Sequence, residues 1–298
     1  MQRFLERRAC AVCAGLRHSV LRSLPFAAPA VWDFVARYYA GRIAAGELGD
    51  ARYEIRKCAD CGFLWQAYHL DEVGMQCLYE DWISPQESLA KKTRAGAALL
   101  DGYARELAAI ARRLGRRPAA LRVLDYGMGW GFWCRVAQAH GCDVAGCELS
   151  ERRRAYARGL GIRVVEALEG EAPFDVINCH QTLEHLPEPC ETLARLARAL
   201  APGGLVRLSV PDGSGAERAL LDPRWRAGKD ALQPLEHLNC FTRATLARIA
   251  ARAGLAPARE PARPRARWRG LRARLAGALR RARPRAAAAT LYLARAGA

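Results

Sequence analysis

The chain has 298 residues, an ordinary apolar share of 51% and a formal net charge of +17. That length holds one substantial core plus a small satellite, and no apolar run approaches the ~20 residues that span a bilayer. The start, M-Q-R-F-L-E-R-R-A-C, has no apolar segment of the signal-peptide kind, so a cytoplasmic protein is expected.

From the amino terminus, the first signal is a pair of C-x-x-C knuckles, Cys10-Ala-Val-Cys13 and Cys58-Ala-Asp-Cys61. Each can offer two thiolates to one ion, and together they complete a closed, structural Cys₄ zinc site. The 44 residues between them exceed the usual ribbon spacing, so reduced, unliganded thiols stay the alternative. Eleven cysteines in a cytoplasmic chain are not a disulfide framework, and the seven outside the knuckles read as small buried hydrophobes. Between the knuckles, Val31 to Ala45 has apolar residues at helical spacing, expected to serve packing. Tyr68 to Pro85 is aromatic without a clear period and is expected to cover a ligand mouth. Ser88 to Gly115 predicts one or two helices, with Leu99, Leu100, Tyr103, Leu107, Ile110 and Leu114 on one face.

Leu121 to Gly131, L-R-V-L-D-Y-G-M-G-W-G, organises the rest. A short apolar run predicts a strand buried on both faces. Asp125 ends it, and glycines at 127, 129 and 131 let the backbone turn and leave room for a ligand. Phe132 to His140 predicts a helix, giving the strand, glycine turn and helix of a doubly wound α/β fold. The spacing is G-x-G-x-G, with Phe132 where the dinucleotide fingerprint has its third glycine. Cys142 to Cys147 predicts strand two, and Glu148 at its end can accept from ribose hydroxyls. Ser150 caps a helix to about Arg158, and Ile162 to Val165 is a third short strand. Phe174 to Cys179 predicts strand four, whose carboxyl end delivers His180, Gln181, Glu184 and His185 to the crevice where open sheets bind ligands. Helix Pro189–Leu200, strand Leu205–Val210, loop-rich 211–239 and helix Thr242–Ala253 follow. Thr290 to Leu293 predicts a last antiparallel strand at the sheet edge.

The charge is uneven. Only four of the 47 basic residues are lysine, and Arg259 to Arg285 holds eleven arginines against Glu260 alone. Arginine and alanine in such excess point to a base-composition bias of the genome, and the remaining chain is only mildly basic, which argues against a nucleic-acid groove over the core. Within 264–285, Leu271, Leu275 and Leu279 recur at helical spacing among arginines. Such a helix suits an anionic membrane surface; the alternative is a solvated arginine-rich helix docking its leucines on the core.

D-x-G-x-G-x-G with the acid at Glu148, then F-D-V-I-N-C-H-Q-T-L-E-H-L-P-E-P (174–189) and A-P-G-G-L-V-R-L-S-V-P (201–211), resemble the class I S-adenosylmethionine-dependent methyltransferases. K-C-A-D-C-G-F before such a core and E-H-L-N-C-F-T (236–242) after it are similar to the deoxysugar C-methyltransferase group and its relatives. The resemblance implies a Rossmann-like sheet with its last strand antiparallel and a small N-terminal zinc module serving as scaffold and lid. The expected units are a zinc-ribbon-like module with a helical insert (1–75), a helical connector or lid (76–118), the cofactor-binding core (119–256) and a basic segment with a final edge strand (257–298). S-adenosylmethionine would lie on Asp125, Gly127, Gly129, Gly131, Glu148, His180 and Gln181, with Asp125 fixing the loop near the amino group. Zn²⁺ would be held by Cys10, Cys13, Cys58 and Cys61.

A methyl group on a sulfonium is already activated, so the protein's task is to align a small-molecule acceptor and remove its proton. The base candidates are His237, first because its segment folds over the acceptor by resemblance, then His185 and His180; for each, a satisfied core histidine is the alternative. The leading reading is a methyltransferase acting on a sugar, nucleotide sugar or other metabolite. A non-catalytic cofactor-binding relative is the second, and a nucleic-acid methyltransferase using the basic tail the third. H-Q-T-L after strand four, where amino-methylating DNA enzymes carry an N/D-P-P-Y type tetrapeptide, speaks against the last.

Overall fold

The computed structural model describes residues 4–258 and 288–297. The basic segment expected to be amphipathic, 264–285, lies outside the described residues. The chain opens with β1 (Phe4–Glu6) and β2 (His18–Pro25), then α1 (Pro29–Tyr38), β3 (Arg52–Cys58), β4 (Leu64–Gln66) and β5 (Tyr68–Leu70). Pro29 starts α1 with its φ already helical, and Val31, Phe34 and Val35 bury one face. The two cysteine knuckles turn alike. The Ala14 N–H donates to the Cys10 carbonyl and the Gly62 N–H to that of Cys58, with Ala14 at φ 61° and Gly62 at φ 72°. Glycine takes that left-handed turn freely; alanine does so against the clash of its Cβ.

Next come α2 (Glu72–Cys77), capped by the Asp71 carboxylate, a π-helical turn over Leu78–Trp82, and α3 (Pro85–Leu114). Ser84 caps α3, and Gly96 breaks it into two segments at φ 48°, ψ −139°. Tyr103, Leu107, Ile110 and Ala111 bury the second segment's face, each large apolar side chain contributing about 1.5–3 kcal/mol. Leu100, expected on that face, is 40% exposed. The helix turns it toward solvent while Leu99 packs inward.

The main sheet then builds as β6 (Arg122–Tyr126), α4 (Phe132–Ala139), β7 (Asp143–Cys147), α5 (Glu151–Gly159), β8 (Arg163–Val164), β9 (Phe174–His180), α6 (Pro189–Ala199) and β10 (Leu200–Pro211). After it come α7 (Ala216–Leu221), β11 (Asn239–Cys240), α8 (Arg243–Arg252), β12 (Leu255–Pro257) and β13 (Ala288–Arg295). The strands stand in the order β12-β13-β10-β9-β6-β7-β8. β6 pairs parallel with β7 and β9, and β10 parallel with β9. The α/β, Rossmann-like doubly wound sheet with an antiparallel late strand is the fold that forms. One detail differs from expectation. β13 is not the edge, because β12 pairs antiparallel outside it. A three-residue strand ending in proline leaves no period to read, and proline is at home on an edge.

The N-terminal module does not close on itself. Its sheet runs β11-β4-β3-β2, so its fourth strand comes from residues 239–240, after the whole α/β core. Leu220, Leu232, Leu235 and Cys240 pack with Phe26, Val31, Tyr53 and Ile55 in one apolar cluster. Arg7 stitches the same seam, donating to the carbonyls of Leu238 and Pro187 (3.0 Å each) and to Asn239 Oδ1 (2.8 Å). Gln66 Nε2 donates to the carbonyls of Gln233 and His237, 2.8 Å each. Among the described residues, no helix is long and apolar enough to cross a membrane.

Candidate functional site

A cavity of about 400 Å³ opens at the carboxyl ends of β6, β7 and β9, within the range of small-molecule sites. One wall is the glycine turn. The N–H groups of Gly127 and Met128 both donate to the Cys147 carbonyl, at 2.8 and 3.0 Å, tying the turn to the end of β7. Glu148 holds it from below: Oε2 accepts from Gly129 N (2.9 Å), and Oε1 from Leu149 N and Ser150 N (3.0 and 3.1 Å). Gly129 sits at φ 56° and lines the cavity, and a Cβ added there would stand in open space. At Gly127 (φ 74°) a Cβ would fall 2.3 Å from Thr182 Oγ1, so glycine is required where the turn meets the segment after β9. Gly146 is a close approach that the motif reading missed. Its Cβ would lie 2.0 Å from Met128 Sδ, the side chain that lines the cavity floor.

Asp125 lines the cavity but does not fix the glycine turn. Its buried carboxylate faces β9, accepting from Asn178 Nδ2 (2.7 Å) and lying 3.7 Å from the Cys134 thiol. Burial pushes its pKa up to about 7 against the pull of that amide and of Arg207. Arg207 donates to Asn178 Oδ1 (2.7 Å) and pairs with Glu106 (2.8 Å). Asp125, Asn178, Arg207 and Glu106 thus form a polar chain through the core, of which sequence reasoning found only the first. Its signal was available: Asn178 and Arg207 interrupt otherwise apolar strands.

The opposite wall joins distant segments. Tyr79 comes from the π-helical turn, Ser88 and Lys92 from α3, and His180, Gln181 and His185 from the end of β9 and beyond. Trp130 Nε1 donates to Ser88 Oγ (3.1 Å), tying α3 over the glycine turn. Gln181 takes φ 53° and donates its N–H to the Ser209 carbonyl, a strained backbone of the kind that collects at sites. His180 faces the cavity with its Nδ1 buried and without a hydrogen-bond partner. Burial, then the charges of Arg207 and Lys92, push its pKa down to about 3. Burial and the nearby His237 do the same for His185, also to about 3. His237, ranked first among the bases, is not a lining residue; its ring packs edge-on behind that of His185, centroids 5.0 Å apart. Burial takes it to about 4. Glu184 points inward, fully buried, and burial with the charge of Glu236 raises it to about 8. The insert between the knuckles, read as packing, also reaches this region: Tyr39 Oη donates to Glu236 Oε1 at 2.9 Å.

The four knuckle cysteines meet as one cluster, all sulfurs within 4.8 Å of one another and none in a disulfide. Cys10 and Cys61 sulfurs stand 3.5 Å apart, Cys13 and Cys58 3.4 Å. Tetrahedral zinc with ~2.3 Å bonds sets sulfurs about 3.8 Å apart, so the cluster fits the ion with small outward shifts. It packs against Phe241, Leu246 and Ile249 of the main core, and Arg252 of α8 donates to the Val12 carbonyl (2.6 Å).

A family profile described as a methyltransferase domain matches residues 99–260. A ubiquinone biosynthesis O-methyltransferase of Aromatoleum aromaticum is 35% identical over 104 residues, which cover 31% of this chain and 44% of that protein. One from Thiobacillus denitrificans is 34% identical, over 31% of this chain and 45% of its own length. The chain thus spans less than half the length of these curated relatives. Among solved structures, the mitomycin 7-O-methyltransferase aligns with a TM-score of 0.50 at 16% identity, covering 91% of this chain and 70% of that one. The likeness is one of fold.

Proposed function

This chain belongs to the methyltransferase-domain family, and from that premise we propose that it transfers a methyl group from S-adenosylmethionine to a small-molecule acceptor: a sugar, a nucleotide sugar or another metabolite. The observation that carries this is the glycine turn, backed by Glu148, on one wall of a 400 Å³ cavity whose other wall presents unprotonated imidazoles. The residues fit the cofactor. Gly129 leaves open the space a nucleoside needs, Glu148 supplies a carboxylate for ribose hydroxyls, and Asp125 and Asn178 offer polar atoms deep in the cavity for the amino-acid end. The sulfonium methyl is the electrophile that the bound cofactor supplies. Gly127 and Gly131 shape the turn, and Gln181 closes the cavity beside it. His180 and His185, kept unprotonated at neutral pH by burial, are placed to accept the acceptor's proton, with His237 positioning His185 from behind. Cys10, Cys13, Cys58 and Cys61 hold one structural zinc, which steadies the module clamped onto residues 233–240.

The test is to offer tritium-labelled S-adenosylmethionine and the full chain to fractionated cell extract and identify what becomes labelled. A labelled small molecule supports the reading. Tight cofactor binding with no transfer to any fraction would make the protein a cofactor-binding relative, and label in nucleic acid would overturn the acceptor class.

A further inference from the structure

Behind the cavity wall, three ligating side chains converge that the proposed methyl transfer leaves without a shared purpose. Glu184 is buried to 1% exposure, and neither carboxylate oxygen has a hydrogen-bond partner. An orphaned buried carboxylate costs several kcal/mol unless something cationic or protic meets it. Its neighbours supply no proton. His185 directs Nδ1 at the Glu236 carbonyl (2.9 Å), and His237 directs Nδ1 at the Asp230 carbonyl. A carbonyl can only accept, so both rings carry their hydrogen on Nδ1 and leave Nε2 as a bare lone pair. His185 Nε2 lies 3.8 Å from Glu184 Oε1. One ligand atom from each of the three lies within 4.8 Å of the other two. Three ligand atoms thus converge in a buried site, and Glu184 has both carboxyl oxygens unmatched by a hydrogen-bond partner.

We propose that Glu184, His185 and His237 bind one divalent transition-metal ion, a second metal centre distinct from the cysteine cluster. Two imidazole nitrogens and one carboxylate suit Zn²⁺, Mn²⁺, Fe²⁺ or Co²⁺, leaving coordination positions open. Bonds of ~2.1 Å bring the ligand atoms to about 3.4 Å apart, a contraction of at most about 1.4 Å from the 4.8 Å limit, within reach of side-chain rotation. The carbonyl bonds to both Nδ1 atoms are the outer partners that metal-bound histidines ordinarily have. The backbone on both sides is pinned as well: Asn239 Nδ2 donates to the Leu183 and Leu186 carbonyls (3.1 and 2.6 Å), and Gln66 holds the His237 carbonyl. His185 also lines the cavity, so the ion would stand one side chain away from the acceptor. Its use there rests on the methyltransferase reading: the ion would fix the His185 ring in the acceptor wall, and His180 remains as the imidazole free to take the acceptor's proton.

Cobalt reads the site separately from the cysteines. The full chain, its cysteine cluster loaded with one equivalent of Zn²⁺, is titrated with Co²⁺. One further equivalent should bind with weak visible bands and without thiolate-to-cobalt charge transfer. Glu184→Gln should weaken that binding by more than ~100-fold, since loss of an outer partner alone costs ~10–100-fold. Affinity for S-adenosylmethionine should stay unchanged, which shows the variant folded. Should Glu184→Gln fail to fold, His237→Asn serves as the second variant with the same expectation. A parent protein that takes up no second equivalent, or variants that bind Co²⁺ as the parent does, would overturn the site. Cobalt bound as expected in a protein that methylates nothing would leave the site standing and defeat only the proposed activity.

Discussion

The wall assigned to the cofactor comes from Asp125 to Trp130 and from Cys147 to Leu149, two neighbouring strand ends joined by one helix. The wall assigned to the acceptor gathers Tyr79, Lys92, His180 and His185 from separate elements, and His237 stands behind it from a segment clamped by the N-terminal module. The first wall is a local structure that needs little beyond its own turn and the next strand. The second exists only when module, connector and core are docked. Damage to the first should therefore remove cofactor binding, and damage to the second should remove turnover while cofactor binding survives.

The largest expected effect tests the docking. Stripping the zinc, or changing Cys58 to Ser, removes a contribution of order 10 kcal/mol to the folding of such a module. The 233–240 segment should loosen, so turnover should vanish while calorimetry still finds S-adenosylmethionine bound by the core. Full zinc occupancy in Cys58→Ser by metal analysis would break the comparison at its root. Gly129→Val comes next: the side chain enters the ligand's space, and the left-handed turn adds about 1–2 kcal/mol of strain. Cofactor affinity should fall beyond detection, and unchanged calorimetry would remove the cofactor from this wall.

His237→Ala should lower turnover with cofactor affinity unchanged, because it acts on the acceptor wall through His185; equal rates for variant and parent would leave His237 a packing residue. Smaller is a pH effect. Unfolded, His180 titrates near 6.5, whereas folded it titrates near 3. Between these values the unfolded chain binds more protons, so its contribution is complete above about 6.5 and is lost as pH falls toward 3. Of the stability lost on going from pH 7 to 5, to which His185 and His237 also contribute, urea melts should show His180→Gln removing about 1–2 kcal/mol. The smallest expected effect is a gain. Ala14→Gly relieves the left-handed knuckle at φ 61° and should raise stability by up to ~1 kcal/mol, read as a higher melting temperature at constant zinc.

The sequence by itself determined what depends on neighbours along the chain. Alternation of apolar runs and caps placed β6, α4, β7, α5 and β9, with Ser150 capping as expected. The glycine turn and Glu148 were legible because backbone conformation and strand-end position are local properties. The paired knuckles were legible because two thiolates three residues apart can share one ion. Only tertiary structure decided that β12 would flank β13, that residues 239–240 would complete the module's sheet, and that Asp125 would bond Asn178 rather than the turn. The same holds for Glu184, His185 and His237. Over fifty residues separate the pair from the third, and no spacing rule relates them. Their meeting depends on Arg7, Gln66 and Asn239 drawing two loops together. Hydrogen bonds between residues so far apart in the chain form only once the core has folded and paid the entropy of bringing them close.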